Sequence, residues 1–316
     1  MTAPEVLPPE VLPPEVHSVT EDSKTTVQPI KNRAWTRFKR DRMAMIGALT
    51  LLLLGTAVLL GPLVYDASYS EIDFSRALGS YSWQHPLGTN DLGQDQLARL
   101  LWGGRISLAV GVTAMVVSIS LGTLIGMLAG FCGGLIDNLL MRVTDLFLSL
   151  PQLPLLLLII YLFRDVMRAA VGPELGIFVL IILVVGGLTW MPTARLVRAG
   201  FLATKERDFV QAAKSLGARP SRIVWQHILP NVIGPVIVAA TLGVGNAIIT
   251  ESTLSFLGIG FPPDVPTWGR MLFDGQNYIA DAPHLVIFPG LAIFLTVLSV
   301  NYVGDGLRDA LDVRSR

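Results

Sequence analysis

The sequence has 316 residues, of which 52% are hydrophobic and only 15% charged; mean hydropathy is +0.57 and the net charge is zero. Soluble domains carry about a quarter charged residues, so much of this chain is not built to face water, and the neutral total gives no electrostatic case for binding nucleic acid. The single cysteine, Cys132, excludes an internal disulfide.

Residues 1–33 open with a near-repeat of Pro-Glu-Val-Leu-Pro. Repeated proline denies a helix and favours extended chain, which predicts a disordered cytoplasmic tail. Met1 to Thr20 lack the basic start and apolar core of a signal peptide, so the first membrane segment is expected to stay as an anchor. Trp35 and Phe38 then alternate with Arg37, Lys39 and Arg40. That pattern suits a short interfacial helix over 34–42, with rings at the headgroups and cations toward anionic lipid. The transmembrane unit is expected to occupy 34–316.

Six stretches are free of Asp, Glu, Lys and Arg: 43–65, 106–136, 146–163, 175–194, 223–250 and 282–304. Each reaches or approaches the roughly 20 apolar residues that span hydrocarbon as a helix. Continuous apolar runs, without period-two alternation, select helices over a closed barrel. The expected fold is therefore an all-α membrane bundle of six spans. Pro151 and Pro154 fall inside the third run, where neighbouring helices can absorb a kink. The second and fifth runs are long enough to include interfacial or loop residues.

Lysine and arginine set the orientation. Lys31, Arg33, Arg37, Lys39, Arg40 and Arg42 precede the first span. Arg195, Arg198, Lys205, Arg207, Lys214, Arg219 and Arg222 lie between the fourth and fifth. Four spans separate the two groups, so both fall on the cytoplasmic side. The loops 66–105 and 251–281 are richer in acids than bases and fall outside. Both termini are then cytoplasmic, in the plasma (inner) membrane.

Asp137, Arg142 and Asp145 gather at the cytoplasmic end between the second and third spans. Arg142 and Asp145 are i, i+3 neighbours on a helix. They read either as a gate latch or as an ion pair fixing the helix ends. No enzyme constellation is found: the four histidines lack metal-ligand neighbours, and no Gly-Lys dipeptide marks a phosphate-binding loop. No catalytic or metal site is expected. The apolar runs also lack the ionisable groups that ion-coupled carriers commonly keep inside the membrane.

The basic cytoplasmic loop, about 200–230, is the most informative stretch. Phe209, Ala212, Ala213 and Leu216 recur at i, i+3, i+4 and i+7, one narrow apolar face of a short helix that includes Val210. Gly217 stands where a helix end favours a left-handed residue. Such a helix can dock on a cytosolic partner or lie on the membrane.

Gln211, Ala212, Ala213, Lys214, Ser215, Leu216 and Gly217, then nine residues, then His227, Ile228, Leu229 and Pro230 resemble the EAA loop of binding-protein-dependent ABC importer permeases. That loop reads Glu-Ala-Ala, three residues, Gly, nine residues, a hydrophobic residue, any residue, Leu-Pro. Gln211 replaces the Glu, and His227 occupies the hydrophobic slot, as in the dipeptide, oligopeptide and nickel branch. The stretches 85–108, 251–270 and 304–309 are also similar to that branch.

The resemblance implies a type I ABC importer permease that translocates peptides or a related small solute. It implies four further partners: a second, non-identical permease, two cytosolic ABC ATPases that hold ATP and Mg, and an external solute-binding protein. This chain would itself carry no cofactor. The coupling helix would comprise Phe209, Val210, Gln211, Ala212, Ala213, Lys214 and Leu216, closed by Gly217, with His227, Leu229 and Pro230 ending the loop. A stand-alone channel or secondary carrier is the rival reading.

Overall fold

The computed structural model describes residues 30–311, with side chains from Trp35 onward. The Pro-rich repeat lies outside the described residues. Helix α1 (Ile30–Arg40) starts within the segment expected to be tail and stops before Asp41. Asp41 caps α2 (Arg42–Val64): its Oδ1 accepts from the N–H groups of Met43 and Ala44 at 2.9 and 3.2 Å. Leu49, Leu52, Leu53, Leu59, Leu60 and Leu63 of α2 are all exposed, as a lipid-facing span requires.

Helices α3 (Gln96–Cys132), α4 (Gly134–Ser149), α5 (Gln152–Val171), α6 (Pro173–Gly187) and α7 (Met191–Lys205) follow. Then come α8 (Asp208–Ser215), α9 (Pro220–Arg222), α10 (Leu229–Phe256), α11 (Trp268–Gly275) and α12 (His284–Leu311). A wide turn over Ile223–Ile228 joins α9 to α10 without a break in the rod. Among the described residues, four rods are long and apolar enough to cross a membrane: α2, α3, α9–α10 and α12. Counting the bent pairs α4–α5 and α6–α7 as one crossing each brings the number to six.

The third crossing differs from its expectation. The apolar run 146–163 is not one kinked span, because α4 and α5 meet at 90°. Pro151 supplies no N–H, and its ring drives the preceding residue out of the helical region. Leu150 is extended, at φ −80° and ψ 141°. The crossing starts afresh at Gln152 and continues to Val171, while α4 lies across it. The second run likewise ends early. Its helix stops at Cys132, and Gly133 and Gly134 both take positive φ before α4 begins.

Packing centres on α3. Its residues Gly122, Gly126 and Gly130, four apart, lie against α7. A β-carbon at Gly122 would stand 2.7 Å from the Trp190 carbonyl oxygen, and one at Gly130 would stand 2.6 Å from Phe201 Cβ. One at Gly126 would meet the Ala194 carbonyl closer still. Small residues on a shared face let membrane helices approach by backbone contact. Val110 and Ala114 of α3 also close a core with Leu156 and Ile160 of α5, Ile177 and Ile181 of α6, and Ala247 and Leu254 of α10. At the cytoplasmic end α1 packs on α12, with Phe38, Ala44 and Ala310 buried together.

Candidate functional site

The cytosolic loop folds into α8, which starts one residue before the expected Phe209 and leaves Leu216 as its C-cap. Val210 is its one buried residue, at 3% exposure, and it packs with Phe201, Ile223, Val224 and Ile228. That single anchor turns the rest of the helix outward. Phe209 is 45% and Leu216 88% exposed; Gln211, Ala212 and Lys214 are also exposed, and Ala213 is half-buried.

Two bonds close the C-terminus of α8. The Gly217 N–H donates to the Lys214 carbonyl at 3.0 Å, and the Ala218 N–H to the Ala213 carbonyl at 3.1 Å. This is the double bond pattern of a helix stopped by a left-handed residue, and Gly217 has φ +77°. Gln211, standing in the acidic position of the loop pattern, donates from Nε2 to the Lys205 carbonyl at 3.1 Å. Its amide thereby ties α8 back to α7.

His227, Leu229 and Pro230 lie at the junction of the wide turn with α10. Pro230 has no N–H to offer the carbonyl four residues back, and the widened turn just before it accommodates that loss. The His227 carbonyl accepts from Asn231 Nδ2 at 2.6 Å.

The acids of α4 find partners other than the one expected. Asp137 holds Arg198 of α7 through two bonds, Nε to Oδ1 at 2.5 Å and NH2 to Oδ2 at 2.6 Å. Asp145 takes Arg195, also of α7, at 2.5 Å. Arg142 is therefore not Asp145's partner; it is exposed and in no ion pair among the described residues. On a helix that pairs its acid side with α7, Arg142 is carried to the rim. Lys205 adds a bond to the Phe131 carbonyl at 2.8 Å. The α4 elbow is thus strapped to the rod that leads into α8.

Beside α8 a cavity of about 1010 Å³ opens between α7, α10 and α12. Arg207, Asp208 and Phe209 border it from the α8 side, Asn231, Val238 and Leu242 from α10, and Arg308 from α12.

The external side carries a polar network that charge counting assigned to loops. Arg99, 2% exposed, lies in the first turn of α3 and donates to Gln94 Oε1 at 2.6 Å and to Asp274 Oδ2 at 3.4 Å. Arg105 donates to the Val58 and Leu59 carbonyls of α2 at 3.0 and 2.6 Å. Glu251 is fully buried in α10; it accepts from Ser255 at 2.8 Å and from Ser107 at 3.3 Å, and Ser107 in turn accepts from the Trp268 N–H at 3.2 Å. Burial pushes the Asp274 carboxyl above its ordinary range, against the opposing pull of Arg270 and Arg99. Asp95 accepts from Tyr65 and His85, each at 2.8 Å, and caps α3 through the Ala98 N–H. Burial and that bond together raise the Tyr65 phenol. No group of three metal-ligating side chains occurs among the described residues.

The family model described as the binding-protein-dependent transport system inner membrane component matches residues 122–316. The N-terminal TM domain of oligopeptide transport permease C matches residues 32–86. A dipeptide transport system permease protein of Alkalihalophilus pseudofirmus is 38% identical over 94% of this chain and 93% of its own length. A glutathione transport system permease protein of Pectobacterium atrosepticum is 39% identical over 88% and 89%. An oligopeptide transport system permease protein of Bacillus subtilis is 36% identical over 90% and 89%. Among solved structures, the inward-facing MetNI methionine ABC transporter shares the fold with a TM-score of 0.54. It is 18% identical and covers 68% of this chain and 97% of its own. These matches favour a subunit of a multi-component transporter over a stand-alone carrier, and in this family ATP hydrolysis resides on other subunits. With relatives matched nearly end to end and a family model covering more than half its length, this chain belongs to the family of binding-protein-dependent transport system inner membrane components and is the multi-pass permease subunit of an ABC importer.

Proposed function

We propose that this permease passes short peptides or a closely related small solute, received from an external binding protein, and that α8 is the helix through which ATPase subunits drive it. Two cytosolic ATPases holding ATP and Mg²⁺ would receive α8 of this chain and its counterpart on a second permease. Closure of the ATPase pair would swing both helices and convert the pathway between inward- and outward-facing forms.

The observation that carries this reading is the presentation of α8. It is anchored by one buried valine, closed by Gly217, and offers Phe209, Ala212 and Leu216 to the cytosol. An exposed apolar stripe on a short, firmly held helix suits insertion into a partner's groove. The solute class is supported by the dipeptide, oligopeptide and glutathione permeases among its relatives. The Asp137–Arg198 and Asp145–Arg195 pairs serve as straps that make α4 follow α7 when α8 moves.

The test is made on the complete transporter in proteoliposomes with its binding protein. Ala213→Glu or Gly217→Pro is expected to leave membrane insertion intact while ATP-driven uptake of a labelled peptide mixture is lost. Undiminished uptake, together with unchanged cargo-stimulated ATPase activity, would count against α8 as the coupling element.

A further inference from the structure

We propose that one face of α10, running from Asn231 through Leu242 and Asn246 to Thr253, is this chain's wall of the solute pathway, and that the cavity beside α8 is its cytosolic mouth. The proposal rests on the importer reading above and deepens it by naming the residues the solute passes.

Helix α10 exposes two faces that differ in polarity. At about 100° per residue, Asn231, Pro235, Leu242, Asn246, Ile249 and Thr253 fall within a sector of about 60°. Ile233 and Ile237 project from the opposite side, and both are exposed. Two exposed isoleucines are what lipid accepts. The other face also exposes an isoleucine, Ile249, but it adds amide side chains that the lipid side lacks. Asn231 and Asn246 are exposed, and the Asn246 amide has no hydrogen-bond partner among the described residues. Thr253 satisfies its own hydroxyl on the Ile249 carbonyl at 2.8 Å, but an asparagine amide cannot be hidden in that way. Asn246 sits about 22 Å along the helix from Asn231, within the roughly 30 Å of hydrocarbon that a span crosses. An amide at that depth is costly in lipid. It is at home against water or against the amide groups of a passing peptide.

The foot of the same face opens into the cavity of about 1010 Å³, which has room for a small solute. Asn231 and Leu242 belong both to the face and to the cavity wall. Phe209 belongs to the cavity wall as well as to the exposed stripe of α8. Any displacement of α8 therefore moves one wall of the mouth directly, with no intermediate element. Arg207, Asp208 and Arg308 ring the opening, and neither arginine is in an ion pair among the described residues.

The experiment uses the intact complex with its ATPases in lipid nanodiscs, in a Cys132→Ser background. Single cysteines replace Leu242, Asn246 and, as the lipid-facing control, Ile237. The probe is a charged, water-soluble methanethiosulfonate, read by mass shift with and without ATP and vanadate. Leu242→Cys and Asn246→Cys are expected to react at least about 10-fold faster than Ile237→Cys, because the charged reagent is excluded from lipid. Their rates are expected to change on vanadate trapping. Rates no faster than the control, or crosslinking of Asn246→Cys to the second permease without reagent access, would overturn the proposal and make this face a packed interface. If no vanadate-sensitive ATPase activity accompanies the complex, the importer reading itself falls. Slow labelling in an ATPase-active complex sinks the pathway assignment alone.

Discussion

Gly126→Ala puts the least possible mass into a close backbone approach between α3 and α7. The new β-carbon would fall against the Ala194 carbonyl oxygen and 2.8 Å from Val197 Cβ. The carbonyl belongs to the backbone of α7 and cannot rotate away, so α3 and α7 must part. Overpacking of this kind costs about 1–3 kcal/mol. Alanine in a helix interior returns roughly 0.5–1 kcal/mol of backbone entropy relative to glycine. Gly55 of α2 supplies the control, since a β-carbon there meets nothing within 4 Å. Gly55→Ala should keep the entropic gain and pay no clash. The two variants should therefore differ in stability by about 1–3 kcal/mol, the clash alone. Unfolding of the purified protein in mixed detergent, followed by tryptophan fluorescence against denaturing detergent fraction, measures the difference. If Gly126→Ala proves as stable as Gly55→Ala, the backbone contact between α3 and α7 is not what holds them at this spacing.

Asp137→Arg should destabilise by about 1.5 kcal/mol, the lower end for a charge-assisted bond because Arg198 is a third exposed. Adding Arg198→Asp should recover most of that loss in the same assay, and absence of recovery would show that the pairing is incidental. Glu251→Gln should stay close to wild type in thermal stability, because an amide of the same shape can still bond Ser107 and Ser255. Glu251→Ala leaves both hydroxyls buried without that partner and should lose about 1–3 kcal/mol; equal stability of the two variants would remove Glu251 from the account of the external face. Gly217→Ala forces an L residue to φ +77° at a cost of about 1–2 kcal/mol, so amide exchange in α8 should quicken while exchange in α3 does not. Unchanged protection of α8 would mean that the turn tolerates the side chain.

The apolar runs made the crossings legible because hydrocarbon tolerates so few charges, and the short helix before Gly217 was legible because its apolar residues recur at helical spacing. What escaped was set by tertiary partners. Val210 gives no periodic sign that it, rather than Ala213 or Leu216, would be the buried one; that depends on Phe201 and Ile228 arriving from other elements. Arg142 was the nearest base in sequence to Asp145, yet Arg195, 50 residues away, supplies the partner. Arg99, Arg105 and Glu251 were counted as loop charges because hydropathy scanning ends a span at the first ionisable residue. Each is instead inside a helix that begins earlier or ends later than its apolar run, with its polar atoms bonded to neighbouring chain. Pro151 was visible, but whether it kinks a span or divides it depends on whether α4 has somewhere else to lie. The straps to Arg195 and Arg198 provide that place.

The wide turn at Ile223–Ile228 stores one residue more than an ordinary helical turn would use. A helix that held this surplus at its base could release it upward. Absorbing it would rotate everything above by about 100° and advance it by about 1.5 Å. Applied to α10, that rotation would carry Asn246 out of its sector and bring a neighbouring row of side chains forward in its place. The slack sits between α8 and the long rod it adjoins, where a small push at the base would become a turn of the whole shaft.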